Sequence, residues 1–228
     1  MRSIHDNLQA VNERIARAAA AAGRAPGAVR LLAVSKTHPA GKIAEARRAG
    51  QLAFGENYVQ EALEKMDALA GQGIEWHLIG PLQANKTRLA AERFDWVQTV
   101  DREKIARRLS AQRPSQLAPL NILVQVNVSG ESSKSGVAPK DTRLLMEVVK
   151  TLPGLRLRGL MAIPEPGAGR SGFEEAKALF DRLGAEFGLD TLSMGMSDDL
   201  ELAIASGATL VRVGTAVFGA RDPARAAA

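Results

Sequence analysis

No cysteine occurs in the 228 residues. Disulfides, thiolate zinc sites and cysteine nucleophiles are therefore excluded, and the composition is compatible with a reducing cytosol. Aromatic residues are scarce, at 4% against 46% hydrophobic residues overall, so the core is expected to be aliphatic and alanine-rich. The three histidines, His5, His38 and His77, have no metal-ligand spacing, and no metal is expected. No run approaches the roughly 20 apolar residues that span a bilayer. Residues 1–8 lack the apolar core of a signal peptide. The alanine run 18–22 follows Glu13, Arg14 and Arg17 and reads as a helix, so a cytoplasmic location is expected. The net charge of +5 comes from scattered basic residues such as Arg47-Arg48 and Arg107-Arg108, without interleaved aromatics. That pattern fits a solvated surface better than a nucleic-acid groove.

What the chain does have is alternation. Ile4, Leu8, Val11, Ile15 and Ala18 predict a helix over 4–22. Short aliphatic runs then recur at 31–35, 52–54, 76–79, 96–99, 122–128, 158–162, 191–194 and 210–213. Helical patterns lie between them at 40–49, 56–70, 84–92, 102–112, 139–151, 172–187 and 198–206. In the 56–70 segment Val59, Leu63, Met66 and Ala70 make one face, with Glu61, Glu64 and Lys65 elsewhere. About eight strands alternating with helices fit a single α/β domain over 1–228, a (β/α)8 TIM-type barrel with an extra N-terminal helix. A doubly wound open sheet has the same local signature. The barrel is preferred because the chemically suggestive residues follow several different strands, and barrels gather their sites at strand C-terminal ends. The segments 113–119, 129–136 and 164–172 read as loops, the last as either a lid or a surface insertion, and 221–228 as a flexible tail.

The run Leu31-Leu32-Ala33-Val34-Ser35-Lys36 puts a lysine at the end of a strand, at the mouth of whatever the strand encloses. A desolvated amine has a lowered pKa and attacks aldehydes. Two glycine-containing turns lie at the other end of the chain: Ser193-Met194-Gly195-Met196-Ser197 and Arg212-Val213-Gly214-Thr215. Their backbones allow close approach and their hydroxyls donate, as a phosphate needs, and barrels often hold phosphate after strands 7 and 8. An amine and a phosphate cradle together suggest a site for pyridoxal 5'-phosphate (PLP), with the cradle on the opposite rim from the amine. Ser197 also reads as a helix N-cap, and Asp198-Asp199 as pointing away within the first helical turn. Arg212 reads either as facing a pyridine nitrogen or as a salt bridge across the mouth. Asn57 reads equally as a ring contact or as an N-cap. Tyr58, the single tyrosine, reads as a packing residue or a second proton-transfer group. His77 alternates with core positions and reads as a hydrogen-bonded interior residue. Lys134 reads as either a solvated loop residue or a second amine at the mouth.

At these residues the chain resembles the pyridoxal phosphate homeostasis family, PLP-binding barrels similar to the alanine racemase N-terminal domain. The resemblance rests on Ala33-Val34-Ser35-Lys36, Phe54-Gly55-Glu56-Asn57-Tyr58 and the Trp76-His77-Leu78-Ile79-Gly80-Pro81-Leu82-Gln83 stretch with Asn85-Lys86. It also rests on Gly159-Leu160-Met161, Ser193-Met194-Gly195-Met196-Ser197 and Val211-Arg212-Val213-Gly214-Thr215. It implies that Lys36 forms the covalent aldimine with PLP and that Ser197, Gly214 and Thr215 hold the phosphate. Arg212 would meet the pyridine nitrogen, and Asn57 and Met161 would line the ring. The implied role is binding and buffering PLP and passing it to PLP-dependent apo-enzymes.

The chain ends directly after the barrel, so the second domain that supplies a racemase's tyrosine and dimer partner is expected to be missing. An arginine at the ring nitrogen also leaves the cofactor a weak electron sink. A cofactor-handling monomer with little or no catalysis is the resulting expectation. The competing readings are a PLP-dependent amino-acid racemase, with Tyr58 or His77 as second base, and a class I aldolase-like barrel using Lys36 without PLP.

Overall fold

The computed structural model describes residues 3–130, 135–165 and 169–220. The reading of Lys134, residues 166–168 of the 164–172 loop and the tail 221–228 lie outside these described residues. Helix α1 (Ile4–Ala21) buries Ile4, Leu8, Val11, Ile15 and Ala19, the stripe that a 3.6-residue period puts on one face. Ser3 opens it with a capping box: its hydroxyl accepts from Asp6 N–H, and the Asp6 carboxylate accepts from Ser3 N–H.

Strands and helices then alternate: β1 (Arg30–Val34), α2 (Ala40–Arg48), β2 (Ala53–Glu56), α3 (Val59–Ala68), β3 (Glu75–Leu78), α4 (Thr87–Arg93) and β4 (Trp96–Val100). The second half continues with α5 (Glu103–Gln112), β5 (Leu120–Val126), α6 (Thr142–Thr151), β6 (Leu155–Ala162), α7 (Gly169–Phe187), β7 (Thr191–Ser193), α8 (Leu200–Ala205), β8 (Leu210–Val213) and α9 (Thr215–Phe218). The eight strands form a closed parallel barrel in chain order. Closure comes from β1 pairing with β8, Leu32 opposite Arg212 and Ala33 opposite Val213. The open-sheet alternative is thereby excluded. Closure also corrects the opposite-rim expectation, because it makes the first and last strands neighbours.

The core has two parts. Leu31, Ala33, Phe54, Val211 and Val213 belong to the large shell between barrel and helices. The alternate strand positions fill the interior, where Leu32, Ala53 and Leu210 pack with Ile79, and Trp96 packs with Leu123 and Met161. Among the described residues no helix is long and apolar enough to cross a membrane.

Several boundaries differ from the sequence expectation. Residue 56 is extended and pairs with Leu78, so α3 starts only at Val59. Pairing of Leu120 with Leu155 starts β5 and β6 earlier than the apolar runs suggest. The 84–92 pattern divides into a 3-10 turn (Ala84–Lys86) and α4. Gly169 to Gly172, read as the end of a loop, belong to α7, whose start is anchored by buried Phe173. Helix α8 begins at Leu200 because the Asp199 carboxylate instead accepts from Met196 N–H, closing a turn ahead of the helix.

Candidate functional site

Lys36 lies just past β1, half-buried, in a four-residue turn closed by His38 N–H donating to Ser35 O at 3.0 Å. The next residue, Thr37, has φ of 67°, a left-handed conformation that costs a β-branched side chain about 1–2 kcal/mol. Its surroundings hold it there. Thr37 N–H donates to Glu61 Oε1 at 2.6 Å, and Ser35 O accepts from Lys65 Nζ at 2.9 Å. The same Lys65 Nζ lies 2.8 Å from Glu56 Oε1 and 2.7 Å from Glu61 Oε1, and Ser35 Oγ donates to Glu56 Oε1 at 2.5 Å. Lys36 is thus flanked on both sides by backbone groups tied to one ionic cluster, in which Glu56 and Lys65 are buried and Glu61 is partly exposed. Lys65, read from the sequence as lying off the apolar face of its helix, is only 6% exposed, because this cluster draws it inward. Burial raises the Glu56 carboxyl to about 7, against the opposing pull of Lys65 and Ser35. Glu56 Oε2 has no partner among the described residues.

The Gly214 turn packs on the end of the strand that leads to Lys36, and the Gly195 turn adjoins β8, where Arg212 N–H donates to Gly195 O. Gly214 opens α9, and a Cβ there would lie 3.2 Å from Val34 O, so the turn packs directly on the end of β1. The His38 ring lies 5.1 Å from that of Phe218 in α9, and Lys42 Nζ donates to Phe218 O. Thr215 is exposed at the rim. Gly195 adopts φ of 88°, and a Cβ there would fall 2.4 Å from Ala203 Cβ, so the second turn needs glycine on both counts. Ser197 is half-buried and is not the cap of α8; that place belongs to Asp199. Asp199 also corrects the expectation for the acidic pair, since its carboxylate turns back onto the Met196 amide instead of pointing away. Helix α1 braces both turns: Arg14 Nη2 donates to Ser197 O, and Asn7 Nδ2 donates to Val217 O.

Arg212 points into the barrel, 5% exposed. Its Nη1 donates to Ser193 Oγ at 2.9 Å and its Nη2 to Ala162 O at 3.1 Å. Both partners are neutral, so the cross-mouth salt bridge is not what holds it. Burial pulls its pKa down to about 10, partly countered by the charge of Asp199, and it remains a cation at neutral pH. Met161, one residue before Ala162, is fully buried against Trp96 and Leu123. His77 is fully buried too, its ring stacked on Trp96 with centroids 5.0 Å apart.

Asn57 is half-buried after β2, and its backbone lies against Gly80 so closely that a Cβ there would overlap Asn57 O. It does not cap α3; Tyr58 occupies that position, with no side-chain cap. Tyr58 is 60% exposed, which overturns the packing reading. It lines a cleft of about 880 Å³ beside the mouth, together with His38, Asn57, Glu61, Lys65 and Lys86. Sequence reading missed Glu56, Glu61 and Lys65. The available signal was the polar side of the 56–70 helical pattern, where Glu61, Glu64 and Lys65 lie off the apolar stripe.

Residues 7–222 match the family model described as alanine racemase, N-terminal domain. A pyridoxal phosphate homeostasis protein from Pseudomonas aeruginosa is 61% identical over 224 residues, covering 97% of each chain. The protein of the same name from Escherichia coli strain K12 is 54% identical, covering 97% of this chain and 98% of its own. Among solved structures, PipY of Synechococcus elongatus with PLP bound is 39% identical with a TM-score of 0.78, covering 90% of this chain and all of its own (100%). An alanine racemase from Clostridium difficile shares the fold at 15% identity and a TM-score of 0.75, over 96% of this chain and 60% of its own.

Proposed function

The chain belongs to the pyridoxal phosphate homeostasis family, within the alanine racemase N-terminal domain barrels, and on that premise we propose that it binds PLP and carries or buffers it in intracellular cofactor homeostasis. Lys36 holds the cofactor as a Schiff base: Nζ condenses with the aldehyde carbon, and water leaves with the carbonyl oxygen. Ser197, Gly214 and Thr215 hold the phosphate, Arg212 meets the pyridine nitrogen, and Asn57 and Met161 border the ring. Transfer to PLP-dependent apo-enzymes in the cytoplasm, by a single-domain monomer, completes the reading.

The observation that carries it is the Lys36 turn. A lysine is clamped through both neighbouring residues, and the Gly214 turn packs against the strand it ends. The donor set suits the cofactor. Gly214 lets the turn pack against the end of β1 so closely that a Cβ would lie 3.2 Å from Val34 O, which brings its backbone next to the strand that leads to Lys36. Arg212 offers a buried cation whose hydrogen-bond partners are neutral, so its charge is left for a ring nitrogen. When bound, PLP supplies an aldehyde and an electron-accepting ring, and an arginine at the nitrogen keeps that ring unprotonated and a weak electron sink.

This arrangement favours holding over turnover. A racemase needs a second base. His77 is sealed inside the barrel with both ring nitrogens engaged, and Tyr58 stands out in solvent. The homologues are named for homeostasis, not for a reaction.

Purified protein is expected to be yellow and to lose its colour on borohydride reduction, leaving a phosphopyridoxyl mass on Lys36. Retention of full binding in Lys36→Ala would sink the Schiff-base assignment. Sustained racemisation of a single-enantiomer amino acid at about 1 per second or faster would overturn the carrier reading.

A further inference from the structure

A line of hydrogen bonds crosses the barrel interior from Arg212 to the far ends of the strands. Arg212 Nη1 donates to Ser193 Oγ (2.9 Å), and Ser193 Oγ donates to Gln98 Oε1 (2.7 Å). Gln98 Nε2 meets His77 Nδ1 at 2.8 Å, and His77 Nε2 meets Glu75 Oε1 at 2.6 Å. Arg30 Nη2, at the start of β1, donates to the same Glu75 oxygen. His77, Gln98 and Ser193 are fully buried.

The direction of this line is forced by its ends. Burial pushes Glu75 upward, but the His77 hydrogen bond and the nearby positive charge of Arg30 more than offset it, so Glu75 stays an anion that can only accept. His77 must then donate from Nε2. Burial keeps it neutral, so Nδ1 is left as an acceptor and must face the Gln98 amide nitrogen. That turns the Gln98 carbonyl to Ser193, commits the Ser193 proton to it, and leaves Ser193 Oγ to accept from Arg212. Every donor points from the arginine cation towards the glutamate anion, an arrangement in which successive bonds polarise one another.

Elsewhere the interior is filled by Leu32, Leu123, Trp96 and Met161. Burying three polar side chains in place of such residues does not raise stability. We infer that Glu75, acting through His77, Gln98 and Ser193, is a positioning residue for Arg212. The line saturates one side of the guanidinium and leaves its remaining donors fixed towards the pyridine nitrogen of PLP. The inference rests on the PLP reading above.

The test is the ring-nitrogen resonance of PLP labelled with nitrogen-15, bound to wild-type protein and to Glu75→Gln and Ser193→Ala. Val149→Ala, a buried change between barrel and α6, serves as a control for lost stability alone. Both line variants are expected to move the resonance downfield, as a weaker hydrogen bond to the nitrogen requires. Both should also raise the Kd for PLP about threefold to tenfold, while Val149→Ala leaves the resonance in place. Loaded variants with an unmoved resonance would overturn the inference alone. A shift in Ser193→Ala but not in Glu75→Gln would overturn the role of Glu75. A wild type that takes up no PLP would overturn the cofactor reading and this inference with it.

Discussion

Lys65 Nζ lies 2.8 Å from Glu56 Oε1, and this pair sits immediately behind the Lys36 turn, buried on both sides. Neither residue is expected to touch the cofactor. Their importance lies in what they hold: Ser35 before the lysine and, through Glu61, Thr37 after it.

Lys65→Met would leave Glu56 and Glu61 without their shared cation and Ser35 O without its donor. The expected cost is about 3–5 kcal/mol, as for removal of one partner of a buried ion pair. Faster PLP loss should accompany it, since the left-handed Thr37 would relax. Denaturant unfolding and stopped-flow release of PLP measure the two effects. Unchanged values in both would show that the cluster does not hold the turn.

Glu56 makes stability depend on pH. Its folded pKa of about 7 lies above the ordinary 4.5, so the folded state holds the proton more tightly than the unfolded chain. Its contribution is therefore full below about pH 4.5 and is lost as pH rises through about 7. At 1.36 kcal/mol per unit the loss is at most about 3 kcal/mol. Wild-type protein should thus lose stability relative to Glu56→Gln between pH 5 and pH 8.5 in urea titrations. Parallel pH profiles would show that Glu56 titrates normally.

Gly195→Ala should destabilise the fold by about 3 kcal/mol. Left-handed backbone contributes about 1–2 kcal/mol and the overlap with Ala203 Cβ the rest. Adding Ala203→Gly removes the overlap but not the backbone strain, so thermal melts of the double variant should recover only part of the loss.

Arg14 bridges Glu201 and Ser197 O from the N-terminal helix. The ion pair is half exposed, so Arg14→Ala should cost under about 1 kcal/mol of stability. Because the Ser197 turn loses its brace, inorganic phosphate should compete with PLP about twofold to fivefold less effectively. A large fall in melting temperature with unchanged phosphate competition would contradict this assignment.

Much of the molecule is legible in the sequence. The apolar spacing of Ile4, Leu8, Val11 and Ile15 and the recurring aliphatic runs depend on local periodicity, and helix and strand repeats are local properties. Lys36, Gly195 and Gly214 stood out because residue type and position after a strand carry chemical meaning by themselves. Boundaries were less legible. Glu56 looked helical by its neighbours, yet its pairing with Leu78 kept it extended, and Ser197 looked like a cap until Asp199 took the adjacent amide.

What no local pattern encodes is adjacency. Only barrel closure put β8 beside β1 and brought the Gly214 turn onto the end of the strand that leads to Lys36. Only packing showed that Lys65 faces inward and that His77, Gln98 and Ser193, far apart in sequence, form one line. The reason is physical: a charged or polar side chain enters the interior only when partners from distant strands satisfy it, and those partners exist only once the strands have assembled.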